Sequence, residues 1–389
     1  MNGPDFSLWR KRSLALGIAA LALSAAGALF SPQQFFRSYL VAFLFWIGFP
    51  LGCWAILMLH HLVGGRWGFM IQRSLESAGR TFPLMALLFL PLVFGLRELY
   101  PWSLPGAAAD PLLHEKSAYL NPNFFVARAI FYFAVWIVFG YFLSRWSREQ
   151  DRAGGSSLTA RLQNISGPGL ALYGLTVTFS AIDWSMSLEP HWHSTIYGMI
   201  FMVSHALAAL AFVVIVAYLL LDREPLAQVA DRDRFHDLGN LLLALVMLWA
   251  YLGFCQFLLV WVENLREEIP WYLRRITGGW QGVAVLLIAF QFALPFLLLL
   301  SRSAKRRVRV LAGVALLVLV MHWVDLLWLV APAFHPGKFH LHWIDLTTLA
   351  GIGGVWMAAF LFCLGENPLL PLRDPRFVEL IEHGQEAIR

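Results

Sequence analysis

The chain has 389 residues, 59% of them hydrophobic and 14% charged, with a mean hydropathy of +0.64, a balance that excludes a soluble globular domain. Its formal net charge of +5 does not point to nucleic acid, because the basic residues gather in alternate loops, the pattern that encodes membrane topology. Cys53, Cys255 and Cys363 lie far apart in apolar runs, which excludes a disulfide framework, an iron–sulfur cluster or a c-type haem built by this chain.

Apolar runs near twenty residues long recur throughout, so the expectation is an all-α integral membrane protein. Ten spans are expected, at 14–30, 39–63, 81–99, 127–143, 167–185, 195–221, 238–261, 282–300, 310–330 and 343–364. The first follows Arg10, Lys11 and Arg12 and contains Ala26–Gly27–Ala28, which resembles a signal-peptide cleavage site; it is read as a retained anchor. Most of the 29 Lys and Arg residues fall in loops on the side of the N terminus, including Arg66, Arg73, Arg80, Arg145, Arg148 and the run from Arg302 to Arg309. Both termini are therefore expected in the cytoplasm.

Trp102, Trp184, Trp192, Trp261, Trp271, Trp280 and Trp343 mark the opposite side, against Trp9, Trp67 and Trp146 on the basic side. They form either an anchoring belt or a docking surface for extracytoplasmic partners. Within 263–278 a short interfacial helix is expected, opened by Pro270 and closed near Gly278. Pro50, Pro83, Pro91, Pro168 and Pro295 predict kinked helices. The tail from Asn367 to Arg389 reads as a cytoplasmic strap or a frayed end.

Ionisable residues inside apolar runs are the candidates for chemistry. Asp183, near the tryptophan-rich end of the fifth span, is expected to lie near Arg97 and Glu98. That group either accepts protons from an oxidised quinol or is an Arg97–Asp183 ion pair closing a helix end. His205 would lie on the order of 15 Å inside the membrane. His322 and Asp325 share a helix face, and His322 is expected at a depth matching His205. Three readings stay open for them: a proton relay, a hydrogen-bonded pair joining helices, and a bis-histidine haem. Glu263, at the tryptophan-rich end of the seventh span, is assigned to the same proton route. His60 and His61 read as solvated interfacial side chains, with cytoplasmic proton access as the alternative. His191 and His193 flank Trp192 beside Glu189, but a metal there needs further ligands that the spacing does not supply, and His335, His340 and His342 are no stronger.

The stretches at 37–68, 80–92, 166–198, 248–275 and 324–335 resemble the ActF membrane-subunit family of bacterial alternative complex III, quinol:electron-carrier oxidoreductases of the NrfD-like and polysulfide-reductase class. The strings DWSMSLEPHWHSTIYG and NLREEIPWYLRR carry most of that likeness. The resemblance implies ten transmembrane helices in the bacterial inner membrane, with spans two to five (39–185) and six to nine (195–330) as two four-helix bundles. The first span with its tail (1–38) and the tenth with its tail (343–389) would flank them. It also implies no redox cofactor in this chain. Haem c and iron–sulfur clusters would belong to partner subunits: a multihaem cytochrome c, an iron–sulfur protein and an ActC-like paralogue, with a terminal oxidase as a further companion. The paralogue's quinol pocket pairs an acid with a histidine on the fourth span; Asp183 matches the acid, but 127–143 has no histidine, so a quinone site with Asp183, Arg97 and Glu98 would be partial. The alternatives are a secondary transporter and a purely structural membrane scaffold.

Overall fold

The computed structural model describes residues 5–228, 232–371 and 373–377, and every regular element among them is helical. Much of the expected C-terminal strap, at 372 and 378–389, lies outside the described residues, as do residues 1–4 of the N-terminal tail.

Helix α1 (Ser7–Ala28) leads through a short turn into α2 (Pro32–Val63), with Pro32 at the start, where its missing N–H costs nothing. Gly64 and Gly65 stop α2 at φ of 72° and 107°, backbone that side-chain-bearing residues avoid. A second glycine pair, Gly154–Gly155 at 67° and 103°, separates α7 from α8 in the same way. Between lie α3 (Arg66–Gly79), α4 (Phe82–Phe94), and the short α5 (Leu96–Leu99) and α6 (Pro111–Glu115). Helix α7 (Pro122–Ala153) opens with the Asn121 side chain accepting from the Phe124 N–H at 2.9 Å. There follow α8 (Ser156–Trp184), α9 (Tyr197–Leu219), α10 (Arg232–Glu263) and α11 (Ile269–Arg275). The next rod is α12 (Trp280–Leu286), a π-helical turn (Leu287–Ala293) and α13 (Leu294–Leu300). The chain finishes with α14 (Arg302–Arg306), α15 (Val308–Val330) and α16 (Trp343–Gly365).

Eight helices among the described residues are long and apolar enough to cross a membrane: α2, α7, α8, α9, α10, the α12–α13 rod, α15 and α16. The count becomes nine if α3 and α4, bent by 43° at Arg80–Thr81, form one span. The expectation of ten differs at two places. Lys11 and Arg12 dilute the apolar run of α1, and the third span is broken rather than straight. The loop expected between the second and third spans is itself α3, a helix almost wholly buried.

Helix α2 is the hub, with 89% of its most apolar stretch buried, against 22% for the peripheral α10. It packs on α3, α4, α8, α9 and α16, and α1 lies along α16. Helix α9 packs on α2, α8, α10 and α15, while α13 meets α10 and α15.

The crossing of α2 and α9 is made by glycine. A Cβ on Gly52 would stand 2.1 Å from the His205 carbonyl oxygen, and one on Gly48 would stand 2.8 Å from the His205 ring. The π-helical turn has a proline cause: the Pro295 ring collides with the carbonyl four residues back, that of Gln291, and widening the helix relieves the clash.

Candidate functional site

Two polar constellations stand out, one at the tryptophan-rich end and one inside the second half of the chain. The first begins with Asp183, in the last turn of α8 and 1% exposed. Arg128, in the second turn of the antiparallel α7, grips it with both arms: Nε donates to Oδ2 at 2.8 Å and Nη2 to Oδ1 at 2.9 Å. Tyr132 donates to Oδ2 at 2.8 Å, and Arg128 Nη1 donates to the Tyr119 carbonyl at 2.8 Å. The guanidinium also stacks over the Tyr119 and Phe124 rings. The expected Arg97–Asp183 pair is therefore not formed: Arg97 is exposed, and Arg128 holds the carboxylate instead. Both carboxylate oxygens of Asp183 thus accept from Arg128, and Oδ2 accepts from Tyr132 as well. The signal that was missed is the face Arg128, Tyr132, Trp136, spaced by four on α7.

Next to it, the two strings that carry the family resemblance lock together. Glu189 accepts from Arg275 Nη2 at 2.6 Å and from Arg274 Nη1 at 2.8 Å. Arg275 is fully buried; it also donates to the Leu329 and Trp271 carbonyls and lies 3.6 Å over the Trp271 ring. Burial pulls the Arg275 pKa below its ordinary value, and the Glu189 carboxylate opposes that shift. Trp192 stacks on Trp271 with centroids 4.5 Å apart and planes at 13°. His191 meets Asp110 at 2.9 Å, and Lys116 donates to the Pro190 carbonyl at 2.7 Å. The predicted short helix is present as α11, with Pro270 in its first turn.

Burial corrects the reading of the tryptophans: Trp102, Trp184, Trp192, Trp271 and Trp280 are buried, so of the seven only Trp261 and Trp343 remain exposed for a belt or a docking face. Tyr100 donates to the Trp184 carbonyl at 3.0 Å, and burial holds its phenol well above the ordinary range, so it stays a donor. No group of three His, Cys, Asp or Glu side chains that could hold a metal occurs among the described residues.

The second constellation lies where α9, α10 and α15 meet. Asp325 is 3% exposed; Trp249 donates to its Oδ2 at 3.1 Å, and Ser204 reaches the same oxygen at 3.4 Å. His205 and His322 are buried with both ring nitrogens lacking a hydrogen-bond partner among the described residues. They address one face of α2, His322 beside Phe45 and His205 beside Gly48. Gln291, in the π-helical turn, is equally buried, and its amide is equally without a partner among the described residues. Sequence reasoning did not single out Gln291; Pro295 four residues later was the available signal. Glu263 is exposed at the end of α10 and is not part of this cluster.

His60 and His61 overturn the solvated reading: both are fully buried. His60 packs edge-on against Phe69, with Gly68 leaving room for its ring. The described part of the tail closes over them, Arg376 donating to the His61 carbonyl at 3.2 Å and to Asp374 at 2.9 Å. Nearby, Arg73 joins Glu76 at 2.6 Å and Asp151 at 2.5 Å, a buried network at the arginine-rich end.

Fold and polar interior together define the class, a multi-pass helical membrane protein. A scan against protein-family models finds no match to the chain, and a search of curated proteins finds none either.

Proposed function

We propose that the chain is an ActF-like membrane subunit of an alternative complex III, a quinol:electron-carrier oxidoreductase in the bacterial inner membrane with both termini cytoplasmic. It anchors the complex and carries protons; electron transfer belongs to multihaem cytochrome and iron–sulfur partners, and quinol oxidation to an ActC-like paralogue. What supports the family is the likeness of the strings around 183–198 and 264–275, together with their docking on each other through Glu189 and Arg275. The two-bundle layout belongs to the same reading, with α2, α4, α7 and α8 in one half and α9, α10, α13 and α15 in the other.

The observation that carries the proton role is the burial of His205, His322 and Asp325 with ring nitrogens that no described protein group satisfies. A buried polar atom left without a partner costs about 1–3 kcal/mol, which water threaded between the imidazoles would offset. Histidine passes a proton through such water by taking it at one ring nitrogen and releasing it at the other. Asp325, with donors on Oδ2 alone, offers Oδ1 to the same chain of water.

The test is Asp325→Asn and His322→Phe in the assembled complex, reconstituted in vesicles. Lower proton release per electron, with assembly intact, is the expected result; an unchanged proton stoichiometry in both variants removes the relay. The break between α3 and α4 is the one feature that favours a secondary transporter, since discontinuous helices build transporter sites. Solute uptake by the chain alone would decide for that reading.

A further inference from the structure

At the arginine-rich end, the start of α10 and the α13–α15 junction enclose an open pocket of about 710 Å³, lined by Arg232, Arg302, Ser303, Arg306, Arg307 and Val308. These segments are about 70 residues apart in sequence, and a specific contact brings them together. Lys305, buried on α14, donates from Nζ to Asn240 Oδ1 at 2.6 Å, lying across Gly239, where a Cβ would meet its side chain at 2.8 Å. Arg302, Arg306 and Arg307 share the pocket lining with Arg232. Among the described residues Asp233 is the carboxylate that ion-pairs there, held by Arg306. Arg232, Arg302 and Arg307 are exposed and have no ion-pair partner among the described residues.

Charge placed for topology alone needs no shared cavity, since loops of either shape satisfy it. Here three exposed guanidinium groups with no ion pair among the described residues line one concave space, and guanidinium matches phosphate with paired donors. The helices below the pocket present apolar side chains outward, Leu297 at 63% and Leu300 at 56% exposed, with Val310 on the other flank. A phosphate in the pocket would thus have a hydrocarbon-compatible surface directly beneath it.

We propose that this pocket binds phosphate groups, and that the outward leucines favour an anionic phospholipid, above all one with two phosphates, as their source. This inference does not rest on the respiratory reading, only on the chain's place in a membrane.

The full chain, purified in an uncharged detergent, is titrated with cardiolipin or with phosphatidylcholine, and bound lipid is counted by native mass spectrometry. Inorganic pyrophosphate is tested separately by thermal shift. The expected result is retention of cardiolipin by the wild type and loss on the order of tenfold in the Arg302→Gln/Arg307→Gln double variant. A control pair, Arg12→Gln/Arg161→Gln, removes equal charge outside the pocket and should keep the lipid. Both residues replaced in the test pair are exposed, and a matching thermal midpoint without lipid shows that folding is intact. Arginine-dependent stabilisation by pyrophosphate without lipid retention also supports the phosphate site and assigns it a soluble ligand. Equal loss in test and control pairs, or no loss in either, overturns the proposal.

Discussion

Arg275 donates to Glu189 at 2.6 Å from a fully buried position, joining the turn after α8 to the helix after α10. Removing one partner of such a pair strands the other charge in low dielectric, which costs about 3–5 kcal/mol, far more than the pair's net worth. Glu189→Gln should therefore lower unfolding stability by that amount in detergent. The Glu189→Gln/Arg275→Met double variant should lose less than the two single changes combined. Additive losses would mean that the two residues do not act as a unit.

The Arg128–Asp183 pair should behave in the same way, with one difference. Asp183→Asn removes the countercharge and keeps the shape, so Arg128 is left with carbonyl and aromatic partners only. A loss of about 3 kcal/mol is expected. Arg97→Gln, at an exposed position, should fall within about 0.5 kcal/mol of wild type in the same assay. A larger effect at Arg97 than at Asp183 would contradict the pairing described above.

Gly52→Ala should prevent α2 and α9 from closing, since the new methyl would sit 2.1 Å from the His205 carbonyl oxygen, which cannot rotate away. Failure to yield a monodisperse protein is expected. Gly174→Ala, where the added carbon meets nothing within 4 Å, should be neutral or stabilising by about 0.5–1 kcal/mol through helix propensity. Normal yield of Gly52→Ala would show that the crossing can open.

Burial lowers the pKa of His335, and the Arg37 guanidinium and the His340 ring push it in the same direction, against the Asp345 carboxylate. A folded-state pKa below the unfolded value means that the unfolded chain binds more protons as pH falls through about 6.5, so acid destabilises. Thermal midpoints should fall between about pH 7.5 and about pH 5.5. His335→Gln should show a shallower fall. Identical slopes would remove His335 as the source.

Membrane class, the short helix α11 and the apolar runs holding Asp183, His205, His322 and Asp325 were legible in the sequence. They follow from apolar run length, from proline and glycine punctuation, and from the high cost of a charge in hydrocarbon; each is a local or additive property. Which charge meets which was not legible. Arg97 and Arg128 both sit at the right end of the bundle, and only the packing of α7 on α8 gives Asp183 to Arg128. His60 and His61 look interfacial by their place at the end of α2, yet α3 folds back and the tail covers them. Burial of a helix end depends on what a distant segment does, and no local pattern encodes it. The same holds for the tryptophans. Their shared end of the molecule could be read from spacing, whereas the inward facing of Trp192 and Trp271 was decided by the fit of two strings about 80 residues apart. The sequence by itself determined that this chain lives in a membrane with acids and imidazoles in its interior. The tertiary structure alone decided their partners, because pairing depends on distances of a few ångströms that only packed helices set.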